Sequence, residues 1–186
     1  MNEVFSSFIS QFEDTFFAVC ETGFKTELVI QMFYRTYQQD SEIIRYGQKA
    51  DALYFLTGGS INLFRHEHLE ASHFMVLTNG AIFGDYAILY DLKFNVLFKT
   101  SGKYGISMVN PSSSNYDSCA MMCVKSQIFM DLCELYPKTK EKLQILALEK
   151  RAIMQHYLSV VERIRLAGVS GIDPISGIPR NIESSE

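Results

Sequence analysis

Between about residues 36 and 99 the chain is a string of short apolar runs, each closed by a turn. EIIRYG, ALYFLTGG, SINLFRH, HFMVLTNG, AIFGD and NVLFKT succeed one another with Gly, Asp or Asn at the breaks. Runs of about five to seven residues bounded in this way read as strands rather than helices. Their even spacing leaves few solutions, and it predicts a compact antiparallel barrel or jelly roll. Residues 101–118, SGKYGISMVNPSSSNYDS, are rich in Gly, Ser, Asn and Pro and read as a long loop with one weak strand at YGISMV. A last strand, CAMMCVK, follows and brings the strands to about eight.

Helices flank this β region. Phe5, Phe8, Phe12 and Phe16, then Phe24, Leu28 and Met32, recur at helical spacing and predict helices over 4–19 and 22–34, with Thr22 as the N-cap between them. Ser126 is placed to cap a further helix, SQIFMDLCELYP. Pro137 sits where a first helical turn tolerates it. From there to about Leu166 the chain reads as helix, roughly 30 residues and about 45 Å if unbroken. Leu146, Ile153, Tyr157, Val160 and Ile164 mark its apolar face, while Lys138, Lys140, Lys142, Glu149, Lys150 and Arg151 read as a solvated face. The last stretch, GVSGIDPISGIPRNIESSE, holds too much Gly and Pro for helix. The expected organisation is therefore N-terminal helices over 1–35, a β-roll over 36–126, C-terminal helices over 127–167 and an extended or disordered tail over 168–186. The fold class is mainly β with flanking helices (α+β).

Composition excludes several functions. The 186 residues suffice for one domain with a real core plus helical extensions. The net charge of -4, with acids and bases mixed along the chain, offers no basic stripe for nucleic acid. No apolar run is long enough to span a bilayer, so direct membrane insertion is not expected, and Met1 is not followed by a secretion signal. Cys20, Cys119, Cys123 and Cys133 form no CxxC pair and read as reduced core thiols of a cytosolic protein. A zinc site on Cys119 and Cys123 lacks further ligands.

Three blocks of sequence, in order, carry a family resemblance. IIRYGQKADALYFLTGGSINLF resembles the opening barrel strands of cyclic nucleotide-binding domains, with Gly47, Leu53, Tyr54, Phe55 and Gly59 at characteristic places. NGAIFGDYAILY is similar to that family's phosphate-binding cassette, with Gly80, Phe83, Gly84, Ala87 and Leu89 matching. IFMDLCELYP and the charged helix after it resemble the C-terminal helices that close over the nucleotide. The resemblance covers about residues 22–165. The LYP ending and the long final helix, with no helix-turn-helix after the barrel, point toward the cytosolic domains of ion channels. It implies a β-roll flanked by helices, a cAMP or cGMP ligand, and channel subunits or a similar larger assembly as partner.

The departures from the pattern bear on function. Binding members of the family carry Glu after the FG pair, for the ribose hydroxyl, and later an Arg for the cyclic phosphate. Here those positions are Asp85 and, by the most direct alignment, Phe94, followed by Asn95 and Val96. A charge-assisted Arg–phosphate contact contributes on the order of 2–3 kcal/mol, so its loss implies about 30- to 150-fold weaker binding. What the resemblance leaves in place is Gly84, Asp85 and the backbone amides near Tyr86 and Ala87, with Lys93 or Lys99 as substitute cations. A lysine cannot reproduce the guanidinium fork. The expected lid is the helix near Ile153 and Tyr157. Some channel domains of this type fill the pocket with their own tail, a role for which GIDPISGIPR is available. Asp173 would then stand in for the anion and Ile172 or Ile175 for the base.

Two other classes compete. Gly59, His66, His68, Glu70 and Gly80 come near the first metal motif of cupins, because His at i and i+2 of a strand share a face. The spacings are off by a residue or more, and no His lies between His73 and His156 to complete the set. Asp85 and Asp91 read as capping or solvating a helical turn rather than as a catalytic pair. The remaining class is a purely structural, protein-binding domain. The expectation is a non-enzymatic regulatory domain with weak or lost cyclic-nucleotide binding, no cofactor and no metal.

Overall fold

The structure, a computed structural model, describes residues 3–65, 73–101 and 118–170. His66, His68 and Glu70, most of the 101–118 loop with its weak strand, and residues 171–186 of the tail lie outside those residues. Helices α1 (Glu3–Phe12) and α2 (Thr22–Ile30) lead into strands β1 (Phe33–Gln38), β2 (Glu42–Ile44), β3 (Ala52–Gly58), β4 (Ile61–Phe64), β5 (Met75–Leu77) and β6 (Ile82–Phe83). Helix α3 (Asp85–Leu89) interrupts the β region before β7 (Leu97–Thr100) and β8 (Ser118–Lys125). Helices α4 (Ser126–Leu135) and α5 (Pro137–Ser170) complete the chain described. The strands form two antiparallel four-stranded sheets, ordered β1-β8-β3-β6 and β2-β7-β4-β5. This is the α+β β-roll with flanking helices that the resemblance implies.

Strand β3 shows why the run ALYFL is continuously apolar. Successive strand residues point to opposite faces, so a strand covered on both sides has no polar face. Ala52, Tyr54 and Leu56 enter the core between the two sheets. Leu53 and Phe55 enter a second core, between the first sheet and the helices. Phe55 is the centre of that second core, with its ring 5.2 Å from Phe12, 5.3 Å from Phe16 and 6.0 Å from Phe17. Strand β8 divides in the same way, with Cys119, Met121 and Cys123 in the barrel and Val124 under the helices. All four cysteines are free and buried.

Several boundaries differ from the sequence expectation. The first helix stops at Phe12, and a single 3-10 turn (Phe17–Val19) follows in place of a helix to residue 19. This break lets Phe16 and Phe17 both turn inward. Thr22 begins α2 instead of capping it, and Lys125, not Ser126, is the N-cap of α4, with no side-chain cap bond in either case. The expected helix 22–34 ends at Ile30, and Phe33–Gln38 is a strand that, among the described residues, pairs with β8 alone at the sheet edge. Asp51 staples that edge to the roll. Arg35 donates to Asp51 Oδ2 at 3.0 Å, and the Tyr54 hydroxyl donates to the same carboxylate. Burial alone would raise the Asp51 carboxyl, but the hydrogen bonds from Tyr54 and Arg35 outweigh it and hold it below its ordinary value.

Candidate functional site

The loop from β6 into α3 is built around one backbone constraint. Gly84 has φ 98°, and a Cβ on it would lie 2.6 Å from the Ala52 carbonyl oxygen of β3. Only glycine meets both conditions without strain. The chain therefore turns at once into α3, where the Ile88 amide donates to the Gly84 carbonyl at 3.0 Å. Asp85, the first residue of that helix, points inward and is 5% exposed.

A cavity of about 590 Å³ opens beside this turn. Its walls come from β4 and β5, from residues 80–87 and 93–98, from the turn after α1, and from α5. The volume lies within the range of small-molecule sites, which are typically apolar with a few placed polar groups. Leu63, Met75, Leu77, Phe94 and Phe98 supply much of the apolar wall. An aromatic column continues behind it, with Phe83 stacked on Tyr54 at 4.8 Å and on Phe98 at 5.1 Å.

Two charged groups at the cavity come from the closing helix, Lys150 and Arg151. Lys150 of α5 forms an ion pair with Asp85 and also points its ammonium at the Ile82 carbonyl, 3.4 Å away. A carboxylate this deeply buried needs such a partner, because an unpaired buried charge is strongly destabilising. One turn position further, the Arg151 guanidinium lies 4.3 Å over the Tyr86 ring. Two other ties hold α5 against the roll: the Tyr90 hydroxyl to the Gln144 carbonyl at 3.4 Å, and the ion pair of Arg65 with Glu162.

The structure brings Gly84, Asp85, Tyr86, Ala87 and Lys93 to the cavity wall. It does not bring Lys99 there. That residue is held on β7 against Asp40 at 3.4 Å, so it is not placed to act as a substitute cation. Phe94 lies where the resemblance expects the guanidinium, and its backbone is fixed: its amide donates to Gln48 and its carbonyl accepts from Gly47. Its ring packs on Phe98 at 5.1 Å. Of the expected lid residues, Ile153 lines the cavity while Tyr157 does not.

The reading of Lys150 and Arg151 as solvated is corrected, since both line the cavity. The inward stripe of α5 runs through Leu143, Ala147, Lys150, Met154 and Leu158. That is rotated from the stripe expected from the largest apolar residues. The i, i+4 spacing of Leu143 and Ala147 is the signal that could have located Lys150 and Met154 on the same face. Among the described residues, no group of three or more His, Cys, Asp or Glu is placed to hold a metal ion.

Comparison with known proteins agrees with this geometry. Residues 34–99 match the family model of the cyclic nucleotide-binding domain. The match runs from β1 into β7 and includes the Gly84 turn and α3. No curated protein matches the chain. No described helix is long and apolar enough to cross a membrane.

Proposed function

We propose that the cyclic nucleotide-binding domain carried by this chain is a non-catalytic regulatory module in which cavity occupancy is coupled to docking of α5. Its affinity for cAMP and cGMP is weak or lost, and it serves a larger assembly such as an ion channel, at the cytosolic face of the membrane. The observation that carries this reading is the Asp85–Lys150 pair. The acid of the cassette is already satisfied by the closing helix, while a phenyl ring stands at the position expected for the phosphate cation. A cyclic phosphate entering this site would meet no preorganised guanidinium fork on the cassette.

The mechanism is a population shift. Helix α5 lines the cavity with Ala147, Lys150 and Met154, so a ligand that contacts them favours the docked helix over an undocked one. It shifts that balance only by its difference in affinity for the two states. The exposed apolar residues beyond the cavity along α5 support a protein partner. Tyr157, Val161 and Ile164 are 49%, 38% and 53% exposed and recur along one side of the helix.

Titration with cAMP and cGMP while following thermal unfolding tests the reading. A ligand at 100 times its dissociation constant adds about 2.7 kcal/mol, which such a titration resolves easily. The expected result is no shift at micromolar nucleotide. Micromolar binding that survives neutralisation of Lys93 would overturn the weak-binding part of the proposal.

A further inference from the structure

The cavity's own chemistry goes further than the regulatory reading, on which the following rests, and specifies a class of ligand. A cyclic nucleotide presents a ribose hydroxyl and charged phosphate oxygens, and each buried polar atom needs a partner. The wall formed by Leu63, Met75, Leu77, Phe94, Phe98 and Met154 supplies none. It suits an apolar body instead.

Among the described residues, the charged ones that line the cavity are Asp14, Asp85, Lys93, Lys150 and Arg151. Three cations against two carboxylates leave one positive charge in excess. Asp85 and Lys150 satisfy each other. Asp14 and Lys93 are exposed to water, where charge is screened. Arg151 is half-buried, stacked over Tyr86, and among the described residues no carboxylate pairs with it. Its planar fork is suited to a carboxylate.

We propose that the cavity binds an apolar organic monoanion, a carboxylate on an alkyl or aryl body. The body lies against the Leu63, Met75 and Phe94 side of the cavity, and the carboxylate is held by Arg151 from the closing helix. The ligand then joins roll and helix directly, because its body touches strands while its charge touches α5.

Matched acids and amides test this on the whole chain, since they differ in charge and little else. Decanoate is compared with decanamide, and naphthoate with naphthamide, by calorimetric titration, with hydrogen exchange of α5 followed in parallel. At least one acid is expected to bind saturably and about tenfold or more tighter than its amide. The pair that binds identifies an alkyl or an aryl body. Arg151→Gln is expected to abolish the preference, and an unfolding midpoint close to that of the parent chain shows that the variant is folded. Arg151→Lys is expected to retain part of it.

The proposal is overturned if neither acid binds, if acid and amide bind alike, or if Arg151→Gln keeps the preference. Cyclic nucleotide bound tightly while neither acid binds would also overturn it, yet leave the cavity a ligand site. Conversely, preferential acid binding with no slowing of α5 exchange upholds the ligand class and removes the coupling proposed for the module.

Discussion

Gly84 and Lys150 carry the sharpest local demands of the site. In Gly84→Ala the new methyl meets the Ala52 carbonyl at φ 98°, so β3 or the turn must move. The expected cost is about 2–3 kcal/mol in urea unfolding, with nucleotide-independent loss of α3. Lys150→Met strands the Asp85 carboxylate. The lysine is partly exposed, so solvent moderates the penalty to about 1–3 kcal/mol. Adding Asp85→Asn is expected to recover most of it, because the double variant leaves no buried charge. An additive double variant would show that the two side chains do not act as a pair. The glycine was legible in the sequence through its matching turn. The lysine was not, because its partner lies about 65 residues away and only the helix phase brings them together.

Among the elements, β3 and α5 teach opposite lessons about reading a sequence. The apolar run of β3 was legible as a strand, and its two cores explain why that run is continuous. Phe55→Ala is therefore expected to cost about 3–5 kcal/mol, as for other large core deletions, and to loosen α1 before it loosens the barrel. Denaturant midpoints combined with hydrogen exchange of residues 8–19 check both parts. For α5, the large residues Tyr157 and Ile164 pulled the expected apolar face toward what is in fact the exposed side. The true inward stripe contains an alanine and a lysine, which carry little hydrophobic signal. Strand β1 was hidden for a related reason. As a half-buried edge it alternates exposed and partly buried residues, and Met32 extends the helical pattern of α2 into it.

At the scale of the whole molecule, four buried thiols set an alkaline limit. Burial pushes Cys20, Cys123 and Cys133 up to about 12 and Cys119 to about 11, from 9.0. Their folded values are raised, so the stability linked to them is complete below pH 9 and is lost as the pH climbs from about 9 to 12. Urea midpoints are expected to be flat near neutrality and to fall across that window. Thiol reagents at pH 8 are expected to label the chain only as it unfolds. The general architecture was legible because strand length and turn chemistry are local properties. The electrostatics of the cavity were not, because they are made by residues from three separated parts of the chain meeting around one void.

The alternation along β3 has one more consequence. The strand is a partition with a different tenant on each side, and its two sets of side chains are interleaved one by one. Positions 52, 54 and 56 fill the space between the two sheets while 53 and 55 hold the phenylalanine-rich cap in place, so a shift of this one strand would be felt in both cores at once.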